Sequence, residues 1–198
     1  DHNFREVVRC AEGQQVLAVV KARAYGHGAV EVSKRLLRLG ADMLGVALVE
    51  EGRELRDAGI HAPILVMGAT FPEQAEAMVS LKLTPVIFSL AVAQALSEAA
   101  HKRRTTINIH VKIDTGMGRI GIAPEDAPEF IASLRKLDSL SVQGLMTFHK
   151  VHPRDVYVVV DDMLLDLGRF RVRSGGSHGG HNGLRDISHR IGSHHYWR

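Results

Sequence analysis

An α/β fold, read as an incomplete (β/α)8 TIM-type barrel of about six βα units followed by a small α/β fragment, is predicted by three observations. Through residue 147, apolar runs rich in Val and Ile alternate with segments of helical period. The runs span about five to seven residues, the length of parallel strands covered on both faces. Strand and helix recur roughly every 20–30 residues, which is βαβ spacing and not that of a helical solenoid. Six units in a row suit a barrel that stops two units short. A doubly wound open sheet shares this pattern and stands as the alternative.

The elements follow in order. Strands are predicted at Val16–Val20, Met43–Leu48, Pro63–Gly68, Thr84–Phe88, Ile107–Ile113 and Val142–Thr147, each an apolar run bounded by polar or turn-forming residues. Amphipathic helices are predicted between them at Ala29–Leu39, Glu50–Ala58, Glu73–Leu81, Ala91–His101 and Pro124–Lys136. Beyond residue 147 the pattern changes. Val156–Val160 reads as a further apolar strand, and Gly168–Arg173 alternates as a strand with one polar face. Ser174–Gly183 holds five Gly in ten residues, a turn-rich stretch where backbone can approach a ligand closely. Leu184–Ile191 follows as a short helix with Asn182 near its start as a cap. Two domains are therefore expected, 1–147 and 148–198.

Composition narrows the classes of function. At 198 residues and 45% hydrophobic content the chain is expected to be globular rather than disordered. Cys10 is the single cysteine, so no internal disulfide is available, and a reducing, cytoplasmic setting is expected. No apolar run approaches the ~20 residues of a membrane helix, so no membrane partner is expected. The opening on Asp1 without Met and the abrupt final Ser-His-His-Tyr-Trp-Arg read as the ends of a trimmed chain. Residues 1–147 hold 17 basic and 17 acidic side chains, while 148–198 hold 8 basic and 5 acidic, so the +3 excess lies in the last segment. Seven of the twelve His lie there too. A small basic, His-rich segment suits contact with a phosphate backbone, or forms a solvated surface.

The first chemical constellation surrounds Lys21. It directly follows Val-Leu-Ala-Val-Val, at the C-terminal end of the first strand, where the catalytic loops of a barrel gather. A Lys set among apolar strand residues suits Schiff-base chemistry, or simply snorkels out of the strand end. Tyr25-Gly-His-Gly then offers a phenol and a flexible backbone at a helix entrance, suited to an anion. The run Ala18-Val-Val-Lys-Ala-Arg-Ala-Tyr-Gly-His-Gly resembles the pyridoxal-phosphate attachment motif of alanine racemases. Met43-Leu-Gly-Val-Ala-Leu-Val-Glu-Glu-Gly, Ala62-Pro-Ile-Leu-Val-Met-Gly and His110-Val-Lys-Ile-Asp-Thr-Gly-Met-Gly-Arg-Ile-Gly continue the resemblance in order over about 147 residues.

That resemblance implies a pyridoxal 5'-phosphate enzyme interconverting L- and D-alanine, a small amino-acid substrate, and a homodimer. It implies that Lys21 carries the cofactor and serves as one of two racemisation bases, and that Tyr25 bonds the cofactor phosphate. Arg119 would lie near the cofactor's phenolic oxygen and the substrate carboxylate, for which a planar guanidinium is suited. Lys112 would be carbamylated and orient Arg119; a surface ion pair of Lys112 and Arg119 with Asp114 is the plainer reading. The chain departs from the family at Arg23, where Asn is usual, and at Thr147-Phe148-His149, where the family reads Thr-His-Phe. The family's second base, a Tyr, and its ring-nitrogen Arg have no counterpart among these residues. Racemisation needs proton removal on one face and delivery on the other, so the chain is expected to be inactive as a racemase on its own.

The second constellation runs from Asp155 to Ile187 and includes Gly179-Gly-His-Asn-Gly-Leu184. It resembles the middle of bacterial and organellar peptidyl-tRNA hydrolases, over about 50 residues. The resemblance implies that Asp161 orients a catalytic His, that His181 and Asn182 hold the peptide–tRNA ester region, and that Arg169, Arg171 and Arg173 face the phosphates of a tRNA. The catalytic His of that family belongs to a region with no match here, and Asp161 without it reads as a strand-end carboxylate. No Cys or carboxylate completes a zinc spacing around His178, His181, His194 or His195, so no metal site is expected. No Gly-Lys-Ser/Thr follows the Gly-rich stretch, so it is not a P-loop. A peptidyl-tRNA hydrolase-type esterase and a non-native fusion of two unrelated chains stand beside the racemase reading.

Overall fold

Six strands pair side by side, all parallel, in the order of the chain: β1 (Leu17–Val19), β2 (Met43–Val46), β3 (Ile64–Val66), β4 (Thr84–Ile87), β5 (Ile107–Lys112) and β6 (Leu140–Met146). The computed structural model describes residues 1–11 and 13–146. The chain divides into two units, Asp1–Phe148 and His149–Arg198, and every described residue belongs to the first. The elements expected after residue 147 lie outside the described residues.

A doubly wound sheet doubles back, so that its first strand ends up inside the sheet. Here each strand neighbours the next, which is the order of a barrel wall. Tertiary pairing thus decides between two folds that share one hydrophobic pattern. The helices are α1 (His2–Cys10), α2 (Lys21–Tyr25), α3 (Ala29–Arg38), α4 (Val49–Asp57), α5 (Ala75–Ser80), α6 (Leu90–Lys102) and α7 (Ala127–Leu134). Single 3-10 turns at Pro72–Gln74 and Pro124–Asp126 lead into α5 and α7. Proline in these first turns removes an N–H that would have no partner there anyway.

Three elements depart from the sequence reading: α1, β6 and the short α2, whose backbone is left-handed after Lys21. Helix α1 was not expected, because it buries none of its residues fully; only its partly buried Phe4 packs on the core. It is supported by the Glu6–Arg9 pair at 2.8 Å and by the pairing of Asp1 with Arg35 on α3. Strand β6 is not covered on both faces: Val142 and Leu145 are 39% and 53% exposed. Among the described residues β6 pairs only with β5, so one backbone edge lacks a sheet neighbour.

Strand alternation sorts the sheet residues into two sets. Ala18, Leu44, Ile64, Val66, Ile87, Ile109 and Val111 share one core cluster with Leu55, Met78, Leu96 and Leu134 from the helices. Burying a Leu or Ile side chain contributes about 1.5–3 kcal/mol, so this layer is the main source of stability. The alternate set, Leu65, Val86, His110 and Lys112, belongs to the other face. Fully apolar strands thus give way to a polar stretch on β5, the strand that leads to the candidate site.

Arg56 ties the opposite ends of these strands. Its guanidinium donates to the carbonyls of Ile60, Ala62, Leu81 and Lys82 at 2.7–2.9 Å. One side chain at the end of α4 thereby holds the turns entering β3 and β4.

Candidate cofactor site at the strand ends

Lys21 is half-buried at the C-terminal end of β1, one residue beyond Val20, whose N–H still bonds Gly45 O at 2.8 Å. The chain then does something unusual. Ala22, Arg23, Ala24 and Tyr25 all take left-handed backbone, with φ of 50°, 55°, 53° and 54°. For L-residues this conformation costs about 1–2 kcal/mol each. Sequence gives no local sign of it, since the four residues hold neither Gly nor Asn. The turn is held by Ala24 N–H to Val20 O (2.8 Å), Gly26 N–H to Ala22 O (3.0 Å) and Gly28 N–H to Arg23 O (2.9 Å). Ala24 is buried, while Tyr25 stands 64% exposed with its phenol free to meet a ligand.

A further bond comes from outside the turn. Ala22 N–H donates to Glu51 Oε1 at 2.6 Å, across 29 residues of chain. The other oxygen of Glu51 accepts from Ala47 N–H at 2.7 Å and from Leu48 N–H at 3.1 Å. Glu51 is the third residue of α4 and reaches back over its own helix start, as in half of a capping box. Sequence reading assigned it no role. Its position three residues after a helix entrance was the available signal.

The second part of the site follows β5. Lys112, the last residue of that strand, is only 7% exposed. The loop 114–121 is closed at its base by Asp114 N–H to Ile122 O (2.8 Å) and Ile122 N–H to Lys112 O (3.0 Å). Gly121 is required there: its φ is +133°, and a Cβ would lie 2.8 Å from Asp114 N. Asp114 Oδ1 accepts from Gly116 N–H at 3.1 Å and Gly118 N–H at 3.0 Å. These backbone bonds, Gly118's first, hold the Asp114 carboxyl below its usual range, with a smaller pull from Lys112. Asp114 thus organises the loop by backbone bonds, and among the described residues no ion pair joins it to Arg119. Arg119 is exposed on that loop.

Lys21 and Tyr25 are thus brought together in one turn, and Lys112 and Arg119 lie at and beyond the same end of the parallel sheet. Asp161, His181 and Asn182 lie outside the described residues, as do Phe148 and His149. Among the described residues no group of three or more His, Cys, Asp or Glu could hold a metal ion, and no helix is long and apolar enough to cross a membrane.

A primary amine, a phenol and a guanidinium at one end of a barrel wall suit a ligand with an aldehyde and anionic groups. A model of the alanine racemase N-terminal domain matches residues 1–159. The chain belongs to the alanine racemase family. Enzymes of this family depend on pyridoxal phosphate. Similar proteins include the alanine racemase of Carboxydothermus hydrogenoformans, 46% identical over 146 residues, which are 74% of this chain and 39% of that protein. Among solved structures, alanine racemase from Clostridium difficile 630 aligns with a TM-score of 0.70 at 41% identity, over 75% of this chain and 39% of that one. Histidine racemase from Leuconostoc mesenteroides aligns with a TM-score of 0.69 at 29% identity, over 74% of this chain and 40% of that one. The chain therefore spans about 39% of the length of the alanine racemases it matches. A second model, of peptidyl-tRNA hydrolase, matches residues 135–198 and overlaps the racemase match across 135–159.

The donor set fits the racemase cofactor. A half-buried amine at Lys21, an exposed hydroxyl at Tyr25 and an exposed guanidinium at Arg119 are of the chemical types that an aldehyde, a phosphate and an oxygen anion call for.

Proposed function

We propose that this chain provides the pyridoxal-phosphate-bearing wall of an amino-acid racemase acting on alanine. The observation that carries the reading is the half-buried Lys21 at the end of β1, followed at once by a braced left-handed turn that bears Tyr25. When bound, pyridoxal phosphate supplies an electron-withdrawing ring that lets an amino acid's α-hydrogen leave as a proton. Lys21 holds the cofactor and moves that proton at Nζ on one face. Tyr25 binds the phosphate through its hydroxyl. Arg119 binds the substrate carboxylate, which a planar guanidinium grips with two donors. Lys112 is buried at the end of β5; uptake of one carbon dioxide by its neutral amine, with loss of a proton to solvent, would make a carbamate there and give Arg119 an anionic partner.

Similarity to alanine racemases favours alanine within this class, while a wall of similar fold also serves a histidine racemase. The reading brings with it a homodimer and a cytoplasmic setting. The 198 residues supply one of the two bases that inversion needs, so this polypeptide by itself is expected to hold cofactor without racemising alanine at a useful rate. Borohydride reduction of the chain incubated with pyridoxal phosphate, followed by peptide mapping, tests the proposal. The label is expected on Lys21 and absent from a folded Lys21→Ala variant. An unlabelled chain at saturating cofactor, or labels scattered evenly over surface lysines, would sink it.

A second reading is favoured by the peptidyl-tRNA hydrolase match at residues 135–198. In it Asp161 orients a catalytic His, His181 and Asn182 hold the ester region, and the basic segment contacts tRNA. Release of peptide from a peptidyl-tRNA mimic, lost in Asp161→Ala, would support it. Two different family matches, overlapping across residues 135–159, also support reading the chain as a join of two unrelated sequences at 147–148. A native peptide spanning Gly144 to Arg154, sought by mass spectrometry, separates a real fused polypeptide from an artefact.

A further inference from the structure

We propose that Glu51 is a positioning residue for Lys21: its carboxylate locks the backbone just after the lysine to the ends of β2 and the start of α4. The proposal rests on the reading of Lys21 as the cofactor-bearing group. Three amide donors from two separate segments converge on one carboxylate, with Ala22 N–H on Oε1 and Ala47 and Leu48 N–H on Oε2. Bonds of this kind, with an ionised acceptor, are shorter and stronger than neutral ones, and the 2.6 and 2.7 Å separations fit that class.

The placement of these bonds gives them their role. On the strand side, Lys21 is anchored by Val20 N–H to Gly45 O. On the loop side, the other backbone bonds of residues 22–28 join near neighbours, among them Ala24 to Val20, Gly26 to Ala22, His27 to Ala24, Gly28 to Arg23 and Val32 to Gly28. Such bonds let the turn shift as one piece. The bond from Ala22 to Glu51 instead ties that piece to a different βα unit. Left-handed backbone at four successive L-residues persists only where the surroundings over-determine it. Glu51 supplies that constraint at the first of the four residues, the one bonded to Lys21. The lysine is therefore held from both sides, and its amine is presented from a fixed origin.

Glu50, the exposed neighbour on the same first turn, makes none of these bonds and serves as the control. The test compares the full chain with Glu51→Ala, Glu51→Gln and Glu50→Ala by two readouts. The first is amide hydrogen exchange at Ala22, Ala47 and Leu48, measured without cofactor. The second is the rate of attachment of pyridoxal phosphate to Lys21, read by borohydride reduction and peptide mapping. The Ala22 amide is expected to be protected in the parent chain and unprotected in Glu51→Ala, with core amides of β2 and β3 unchanged. Attachment at Lys21 is expected to slow about tenfold to a hundredfold in Glu51→Ala. The effect should be smaller in Glu51→Gln, which keeps one acceptor oxygen, and absent in Glu50→Ala.

A freely exchanging Ala22 amide in the parent chain would overturn the proposal, as would parental attachment rates in Glu51→Ala. Loss of protection throughout the sheet, with attachment slowed only in proportion, would make Glu51 a general stabiliser and equally overturn it. Should Glu51→Ala not fold, the parent exchange and Glu51→Gln decide. A parent chain that takes no label refutes the cofactor reading, while the exchange data still judge the clamp.

Discussion

The imidazole of His110 on β5 lies against the bare Cα of Gly144 on β6: a Cβ at Gly144 would sit 3.0 Å from Cε1 and 3.1 Å from Nδ1. The two residues are register partners, immediately after a bulge in which Ile109 faces Val142 and Gln143 is skipped. Two adjacent strands thus adjust their register around one ring. Gly144→Ala is expected to destabilise the chain by about 1–3 kcal/mol through overpacking. Urea denaturation of the pair checks this, and a neutral result would show that the ring moves aside freely.

The same ring predicts a pH dependence. Burial lowers the His110 pKa from its ordinary 6.5. The unfolded chain therefore binds this proton first. Stability held by neutral His110 is fully present above about pH 6.5 and is lost as pH falls from there toward the depressed folded value. The slope of stability against pH in that window should be shallower in His110→Asn than in the parent. Equal slopes would remove His110 as a contributor.

Arg56 is expected to be the most sensitive charged position outside the site. Arg56→Ala removes four bonds to carbonyls of two turns; a bond to a charged group contributes about 1.5–3 kcal/mol net, and at this half-buried position water replaces part of what the four together give. A loss of about 2–4 kcal/mol in chemical denaturation is expected. Arg56→Lys should recover little, because an ammonium cannot span four acceptors set in a fork.

Ser33 should behave in the opposite sense. Its hydroxyl is fully buried on α3 and is the one buried side-chain polar atom among the described residues without a hydrogen-bond partner. Ser33→Ala is expected to raise stability by about 0.5–2 kcal/mol. A measured loss would mean that the hydroxyl is satisfied in solution, for instance by a bound water.

Asp114 links loop order to the proposed cofactor site. Asp114→Ala should speed amide exchange at Gly116 and Gly118 and weaken carboxylate binding through Arg119, leaving core amides unchanged. The Asp114 carboxyl is held below its ordinary 3.8, so the stability it gives is present above that pH and is lost as pH falls through the lower folded value. Unchanged exchange at both glycines would show that the loop stands without it.

Much of the fold was legible in advance because the core is a pattern of apolar residues at strand and helix periods. All six strands stand where Val- and Ile-rich runs placed them, with ends differing by a few residues. Lys21, Tyr25, Lys112 and Arg119 were legible as candidates through their motifs, and their place after β1 and β5 followed from the strand pattern. The left-handed turn was not, because Ala22–Tyr25 contains no residue that favours such backbone. Glu51 was not, because its three donors come from residues as far as 29 positions away.

The sequence by itself determined which residues are apolar, at what period, and which reactive side chains follow each strand; these are local properties, and local patterns record them. Only the tertiary structure decided that the strands lie in the order β1 to β6 rather than doubling back. It alone set the His110–Gly144 register and carried the Glu51 carboxylate to the amide beside Lys21. The physical reason is that strand order, register and charge-assisted bonds depend on groups far apart in the chain, whose meeting is fixed by packing and not by any local preference.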